Sequence, residues 1–178
     1  MKIARRLFIV PLANNNHGKT TLLNALLAQG LGAPSPERKG RRELISPAGR
    51  HIDSYVFVRS YQETEKKRYK SVDNALKAND PNWNERELII FPSHVYRSAA
   101  DIGEMIDAAH RAGFDIISAS VILYDPDDRY SASSIWKKRW DERWTIPNPP
   151  QENEGQLKAQ LTVLGGDLWV LICKALTP

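Results

Sequence analysis

Apolar residues along the chain fall into two kinds of pattern that alternate. The first is a short unbroken run: Leu7, Phe8, Ile9 and Val10 within Ile3 to Leu12. Such a run suits a strand buried on both faces of a parallel sheet. The second follows at once: Leu22, Leu23, Leu26 and Leu27 share the spacing of one helix face. Gly30 to Arg42, with Gly32, Pro34, Pro36 and Gly40, ends that helix as a loop.

The alternation continues downstream. Ile52 to Val58 reads as a strand, and Glu43 to Ser46 as a short strand joined to it through Pro47-Ala48-Gly49. Ser60 to about Lys77 is helical in pattern, supported by Glu63 and Lys67 at i,i+4, and Asp80-Pro81-Asn82 stops it. Glu87 to Phe91 is another apolar strand. Ser98 with Asp101 suggests a capping box opening a helix to about Ala112, and Gly113 follows as its stop. Ile116 to Tyr124 is strand-like, and Ser131 to about Trp144 is read as a helix. Pro147, Pro149 and Pro150 break the chain. From Gln156 onward Leu157, Leu161, Leu164, Leu168, Leu171 and Ile172 keep helical spacing. Gly165-Gly166 interrupts them, either kinking one helix or preceding a strand over Leu168 to Cys173; helix is the preferred reading. No internal repeat is apparent.

Strands alternating with helices predict an α/β fold with a mostly parallel central sheet covered on both faces, a three-layer α/β/α arrangement. The carboxyl ends of parallel strands then share one edge, where ligands bind.

The first strand delivers to that edge Ala13-Asn14-Asn15-Asn16-His17-Gly18-Lys19-Thr20-Thr21. With Ala13 in the place of a first glycine, the stretch fits the phosphate-loop spacing [Ala/Gly]-x-x-x-x-Gly-Lys-[Ser/Thr]. Backbone N–H groups of such a loop cradle phosphate oxygens, helped by the positive end of the following helix. Lys19 would reach the β- and γ-phosphates, and Thr20 would sit on Mg²⁺. Gly18 would let backbone and phosphate approach closely.

Other expected strand ends bring further polar groups: Arg59 and Ser60; Ser93 and His94 with Arg97 behind; and Asp125, Asp127 and Asp128. Arg59, Ser93 and His94 are candidate substrate contacts. Arg59 equally suits a surface pair with Glu63 or Glu65, and His94 equally suits a hydrogen-bonded loop residue. The strand ending Phe91-Pro92-Ser93-His94 lacks the acid that usually partners a phosphate loop. Asp125 could supply that charge from a neighbouring strand, and Asp53 only if its strand runs antiparallel.

Within the expected helix 131–144, Trp136, Trp140 and Trp144 form an aromatic stripe suited to packing on the domain. Arg139 and Arg143 stand at i,i+4, as a lid presenting arginines to a transferring phosphoryl group would place them; a solvated basic face is the plainer reading. Lys66, Lys67, Arg68 and Lys70 are spread around their helix and read as a solvated face.

Composition adds bounds. The 178 residues suit one domain, with a lid segment over about 125–150. No stretch reads as a continuous apolar membrane span, and the basic start lacks a signal-peptide cleavage pattern. A single cysteine, Cys173, excludes an internal disulfide framework and suggests a cytoplasmic protein. The net charge of +4 permits a nucleic-acid partner without requiring one.

Ala13 to Thr21, between its strand and helix, resembles the loop of P-loop nucleoside triphosphatases. Two branches compete. The nucleotide-kinase-like branch passes the γ-phosphoryl of ATP to an acceptor beneath an arginine-bearing lid. The ParA/MinD-like branch of regulatory ATPases has a similar Gly-Lys-Thr-Thr ending. It usually carries another Lys where this chain has Asn14, and an Asp-bearing strand end where this chain has Phe-Pro-Ser-His. The resemblance therefore implies binding of ATP, with GTP not excluded, and Mg²⁺. It further implies a phosphotransferase acting on a small or nucleotide-like acceptor, with Lys19, Arg139, Arg143 and Asp125 as catalytic candidates. The alternative is a regulatory ATPase that switches partners.

Overall fold

The computed structural model describes residues 5–14, 18–122 and 133–177. Its elements in chain order are β1 (Leu7–Leu12), α1 (Lys19–Leu31), β2 (Gly40–Ile45), β3 (His51–Val56), α2 (Tyr61–Tyr69), α3 (Val72–Asn79), β4 (Leu88–Ile90), α4 (Ala99–Arg111), β5 (Asp115–Ile122), β6 (Glu142–Pro147) and α5 (Glu154–Leu176). The fold is α/β. One six-stranded sheet runs in the order β2-β3-β4-β1-β5-β6. Every neighbouring pair is parallel except the β2–β3 hairpin, so the sheet is mixed but mostly parallel.

β1 is central, and all six of its residues are buried. Successive side chains point to opposite faces of a strand, so β1 contributes to two cores. Leu7 and Ile9 join the leucines of α1 and the buried face of α5 in one cluster. Phe8 and Val10 join α2, α3 and α4 in the other, where Phe8 meets Trp83 and Phe114 edge-on.

α5 settles the reading of the C-terminal segment. It is one continuous helix, capped at its start by Asn153, whose side chain accepts a hydrogen bond from Gln156 N at 2.9 Å. Gly165 does not end it. A Cβ at Gly165 would stand 2.5 Å from the Leu22 carbonyl oxygen and 2.7 Å from Ala25 Cβ, so this glycine is where α5 crosses α1 at close range. The expectation that no segment could span a membrane needs correcting. By length and composition α5 is long and apolar enough to do so, and 39% of its most apolar stretch is buried in the fold. The glycine pair hid that continuity in the sequence.

Three further expectations change. The helix expected over Ser60 to Lys77 is two helices, broken where Lys70 takes φ 67°. The capping box at Ser98 does not form: the Ser98 hydroxyl donates to Tyr96 O at 3.0 Å, while Asp101 is buried against Gln62 and Lys66. The helix expected over 131–144 does not extend to Trp144. Only 133–136 is helical among the described residues there, and Glu142–Pro147 is the edge strand β6. Asp141 forces the change: its N–H donates to Ile116 O at 3.0 Å and its carboxylate accepts from Ile116 N at 2.8 Å, drawing the chain alongside β5.

Candidate functional site

The register defines the edge on which a ligand would sit. Leu12 pairs with Ser120 on one side and bridges to Ser93 on the other. Phe57 N donates to Ile90 O, so β3 ends alongside β4. Ala13, Arg59 and Ser93 therefore emerge together, as parallel strands demand.

Ala13 and Asn14 leave β1, and α1 begins at Lys19 after Gly18 in the left-handed conformation, φ 80° and ψ 8°. That conformation carries little strain in glycine alone. Asn15, Asn16 and His17 lie outside the described residues. Asn14 braces the loop against the next strand end: its Oδ1 accepts from Val95 N at 3.3 Å and Tyr96 N at 2.9 Å. Ala13 N donates to Ser93 O at 3.4 Å.

Lys19 is the most unusual group here. Its side chain is buried, and the ammonium donates to Ala13 O at 2.7 Å and Asn14 O at 3.3 Å. Burial lowers its pKa to about 8, against a smaller opposing pull from Glu63. A desolvated cation whose hydrogen-bond partners among the described residues are neutral carbonyls is poised for an anion.

It opens onto a cleft of about 730 Å³. Asn14, Gly18, Lys19, Thr20 and Thr21 form one wall, Arg59 and Glu63 a second, and the start of α5 a third, with Glu154, Leu157, Lys158 and Leu161. Leu161 packs directly on Gly18, where a Cβ would stand 2.4 Å from its Cδ1. Three cations, Lys19, Arg59 and Lys158, thus face two carboxylates.

The second wall pairs internally. Arg59 Nη1 lies 3.8 Å from Glu63 Oε2, and His94 Nε2 lies 2.9 Å from Glu63 Oε1. The surface-pair reading of Arg59 and the loop reading of His94 both hold in this geometry, although Arg59 also lines the cleft. Ser93 is buried, donating to His94 O at 3.0 Å and accepting from Gln62 Nε2 at 3.0 Å, so it is engaged in holding the strand end.

Of the other candidates, Asp53, Arg139 and Arg143 are not brought here. Asp125, Asp127 and Asp128 lie outside the described residues. Asp53 sits near the start of β3, which runs parallel to β4, and is therefore at the opposite edge, bound to Arg41 and Arg86. Arg139 precedes Asp141, which pairs with Ile116, four residues short of the Ser120 that faces Leu12. At about 3.3 Å per residue that is roughly 13 Å from the loop edge. Arg143 is on β6 and closes the preceding turn, donating to Trp136 O at 2.7 Å and Lys138 O at 2.8 Å. The two arginines do not share a helix face, and the tryptophans form no single stripe: Trp140 is buried, its indole donating to Ile135 O. Lys66, Lys67, Arg68 and Lys70 are exposed, as a solvated face requires.

Sequence reasoning missed Glu154, Lys158 and Leu161, because nothing local marks a helix start that docks on a loop more than a hundred residues earlier. Glu63 was legible only as a helix-surface charge. Among the described residues no cluster of three or more His, Cys, Asp or Glu side chains is arranged to hold a metal ion. No protein-family model matches the chain, and no curated protein matches it.

Proposed function

We propose that the chain is a P-loop protein with a three-layer α/β/α fold that binds a magnesium–nucleoside triphosphate, ATP in the first instance, in the Lys19 cleft. We further propose that it transfers the γ-phosphoryl group to a small-molecule acceptor. The observation that carries this reading is the buried Lys19 ammonium, held by Ala13 O and Asn14 O and opening onto a cation-lined cleft at the strand ends. A polyphosphate would replace those neutral carbonyls with charged partners, a stronger hydrogen-bonding set. Arg59 and Lys158 take the charge-neutralising part that the sequence suggested for Arg139 and Arg143. Thr20 would hold Mg²⁺, which screens phosphate charge when bound. A phosphate-bound magnesium needs few protein ligands, so Thr20 with Glu63 nearby fits that demand. The free, buried thiol of Cys173 supports a cytoplasmic location.

A second reading has its own support. Asn14 ties the loop to Val95 and Tyr96, and Tyr96 is 58% exposed. A regulatory ATPase would use that link to report nucleotide state to a partner, nucleic acid included.

The test is titration calorimetry of Mg-ATP with the parent chain and Lys19→Ala, followed by turnover with candidate acceptors. The proposal expects saturable binding that Lys19→Ala abolishes while unfolding stays cooperative. Unchanged affinity in the variant rejects the site. Hydrolysis unaffected by any acceptor favours the regulatory reading.

A further inference from the structure

We propose that a second cavity on the same edge, sharing Arg59 with the Lys19 cleft, binds the acceptor, and that the acceptor is an oxyanion on an aromatic or aliphatic body. This rests on the phosphotransferase reading above. The cavity holds about 400 Å³, within the range of small-molecule sites. Its floor is apolar, formed by Phe57 and Val58, and its rim carries Arg38, Lys39 and Arg59.

The hairpin explains why these residues meet. Gly40 pairs with Val56 across the antiparallel β2–β3 ladder. The residues just before β2 and just after β3 therefore leave the sheet side by side, at the edge where β1 delivers Lys19. α2 adds Glu65, whose carboxylate is buried and fully engaged: Lys39 Nζ lies 2.5 Å from Oε1, Thr64 Oγ1 3.1 Å from Oε1 and Asn79 Nδ2 2.7 Å from Oε2. Lys39 is thereby neutralised. Arg38 is not: among the described residues its guanidinium has no hydrogen bond or ion pair. Glu37 on the rim weakens the field without pairing with Arg38, while Arg59 keeps its contact with Glu63 at 3.8 Å. The unpaired Arg38 guanidinium, with Arg59 beside it on the rim, stands over an apolar floor and selects a carboxylate or phosphate attached to a carbon body.

The same chemistry explains how transfer would balance. An acceptor carboxylate or phosphate oxygen is already anionic. It forms a bond to the γ-phosphorus as the bond from that phosphorus to the bridging oxygen breaks. The electron pair leaves on the nucleoside diphosphate, and no proton has to be removed. The cavity accordingly needs no general base, and its one buried carboxylate, Glu65, is committed to its three partners.

Calorimetric titration of the full chain with phenyl phosphate, phenylacetate and benzyl alcohol tests this, with Mg-ADP titrated separately. Both anions should bind, the neutral alcohol about tenfold or more weaker, as the loss of a charge-assisted hydrogen bond implies. Arg38→Gln should lower anion affinity about tenfold while melting as cooperatively as the parent, and Arg38→Lys should recover part of it. Anions that bind no better than benzyl alcohol, or as tightly to Arg38→Gln as to the parent, overturn the assignment. Absence of Mg-ADP binding by the parent would instead remove the phosphotransferase reading, while the anion titrations still decide the cavity.

Discussion

Gly165 lies against Leu22 so closely that a Cβ on it would stand 2.5 Å from the Leu22 carbonyl oxygen, whereas at Gly166 the nearest such contact is Gln29 Cγ at 3.8 Å. Two adjacent glycines in one helix thus have opposite meanings. Gly165 sets the distance at which α5 docks on α1, and through it the position of Lys158 and Leu161 over the Lys19 cleft. Gly166 has room for a side chain.

The contrast predicts opposite signs. Gly166→Ala should stabilise by about 0.5–1 kcal/mol through helix propensity. Gly165→Ala gains the same propensity but drives a methyl into the backbone of α1, and should destabilise by about 1–3 kcal/mol as overpacked cores do. Urea unfolding of the two variants decides it; equal shifts would mean that the helices do not cross there.

Lys19 should act on stability against its own function. Burial depresses its pKa to about 8, so at pH 7 the folded chain carries a charge that the unfolded chain holds more comfortably. Lys19→Met should therefore stabilise the nucleotide-free protein at pH 7 by about 2–3 kcal/mol while removing triphosphate binding. The pH sign follows. Between about 8 and 10 the unfolded state binds more protons at this site, so parent stability gains with rising pH and the advantage of the methionine variant shrinks. Denaturant midpoints at pH 7 and 10 measure the gap, and a gap that widens contradicts the buried ammonium.

The same titration should govern affinity. Phosphate prefers the protonated ammonium, which the free protein loses above about pH 8. Mg-ATP affinity should thus fall about tenfold from pH 7 to pH 9 through this group. Calorimetry across that range checks it; a flat profile would place the phosphates away from Lys19.

Arg143 should prove structural. It fastens the turn before β6 through two backbone carbonyls. Arg143→Ala should destabilise by about 1–2 kcal/mol, since two charge-assisted bonds at an exposed site are lost. It should leave Mg-ATP affinity within about twofold, well under the 1.4 kcal/mol that a tenfold change represents. Large loss of affinity with unchanged stability would restore a lid role.

Opposite the cleft, Arg86 grips Asp80 with bonds of 2.8 and 3.0 Å and reaches Asp53 at 3.0 Å. Asp80→Asn leaves a buried guanidinium half-satisfied and should cost about 3 kcal/mol. Burial pushes the Asp53 carboxyl up, but hydrogen bonds from Arg41 and Arg86 outweigh it and hold its pKa below the usual value. Its contribution is therefore present above about pH 4 and fades as the pH falls through the lower folded value. Chemical unfolding at pH 7 and pH 3 would show Asp53→Asn losing more stability at the higher pH; the reverse order would exclude the ion pair.

Much of the fold was legible because burial writes itself into the order of residues. Leu7–Val10 and Leu88–Ile90 are runs that only a doubly covered strand needs, and Leu22, Leu23, Leu26 and Leu27 trace one helix face. β6 was not legible. Trp136, Trp140 and Trp144 keep a step of four that suits a helix and is also a multiple of the strand step of two, and the deciding contact, Asp141 with Ile116, spans 25 residues. The shared helix face expected for Arg139 and Arg143 does not form, because Arg143 lies on β6.

Local order along the chain determined the strand, loop and helix that carry Ala13, Gly18, Lys19 and Thr20, because spacing and backbone freedom are properties of neighbours. Only tertiary structure decided which charges meet Lys19. Arg59 and Glu63 arrive from beyond β3, and Lys158 and Leu161 from a helix fixed by the contact of Gly165 with Leu22. Electrostatics and packing act through space, and the distances that set them exist only once the sheet has aligned its strand ends.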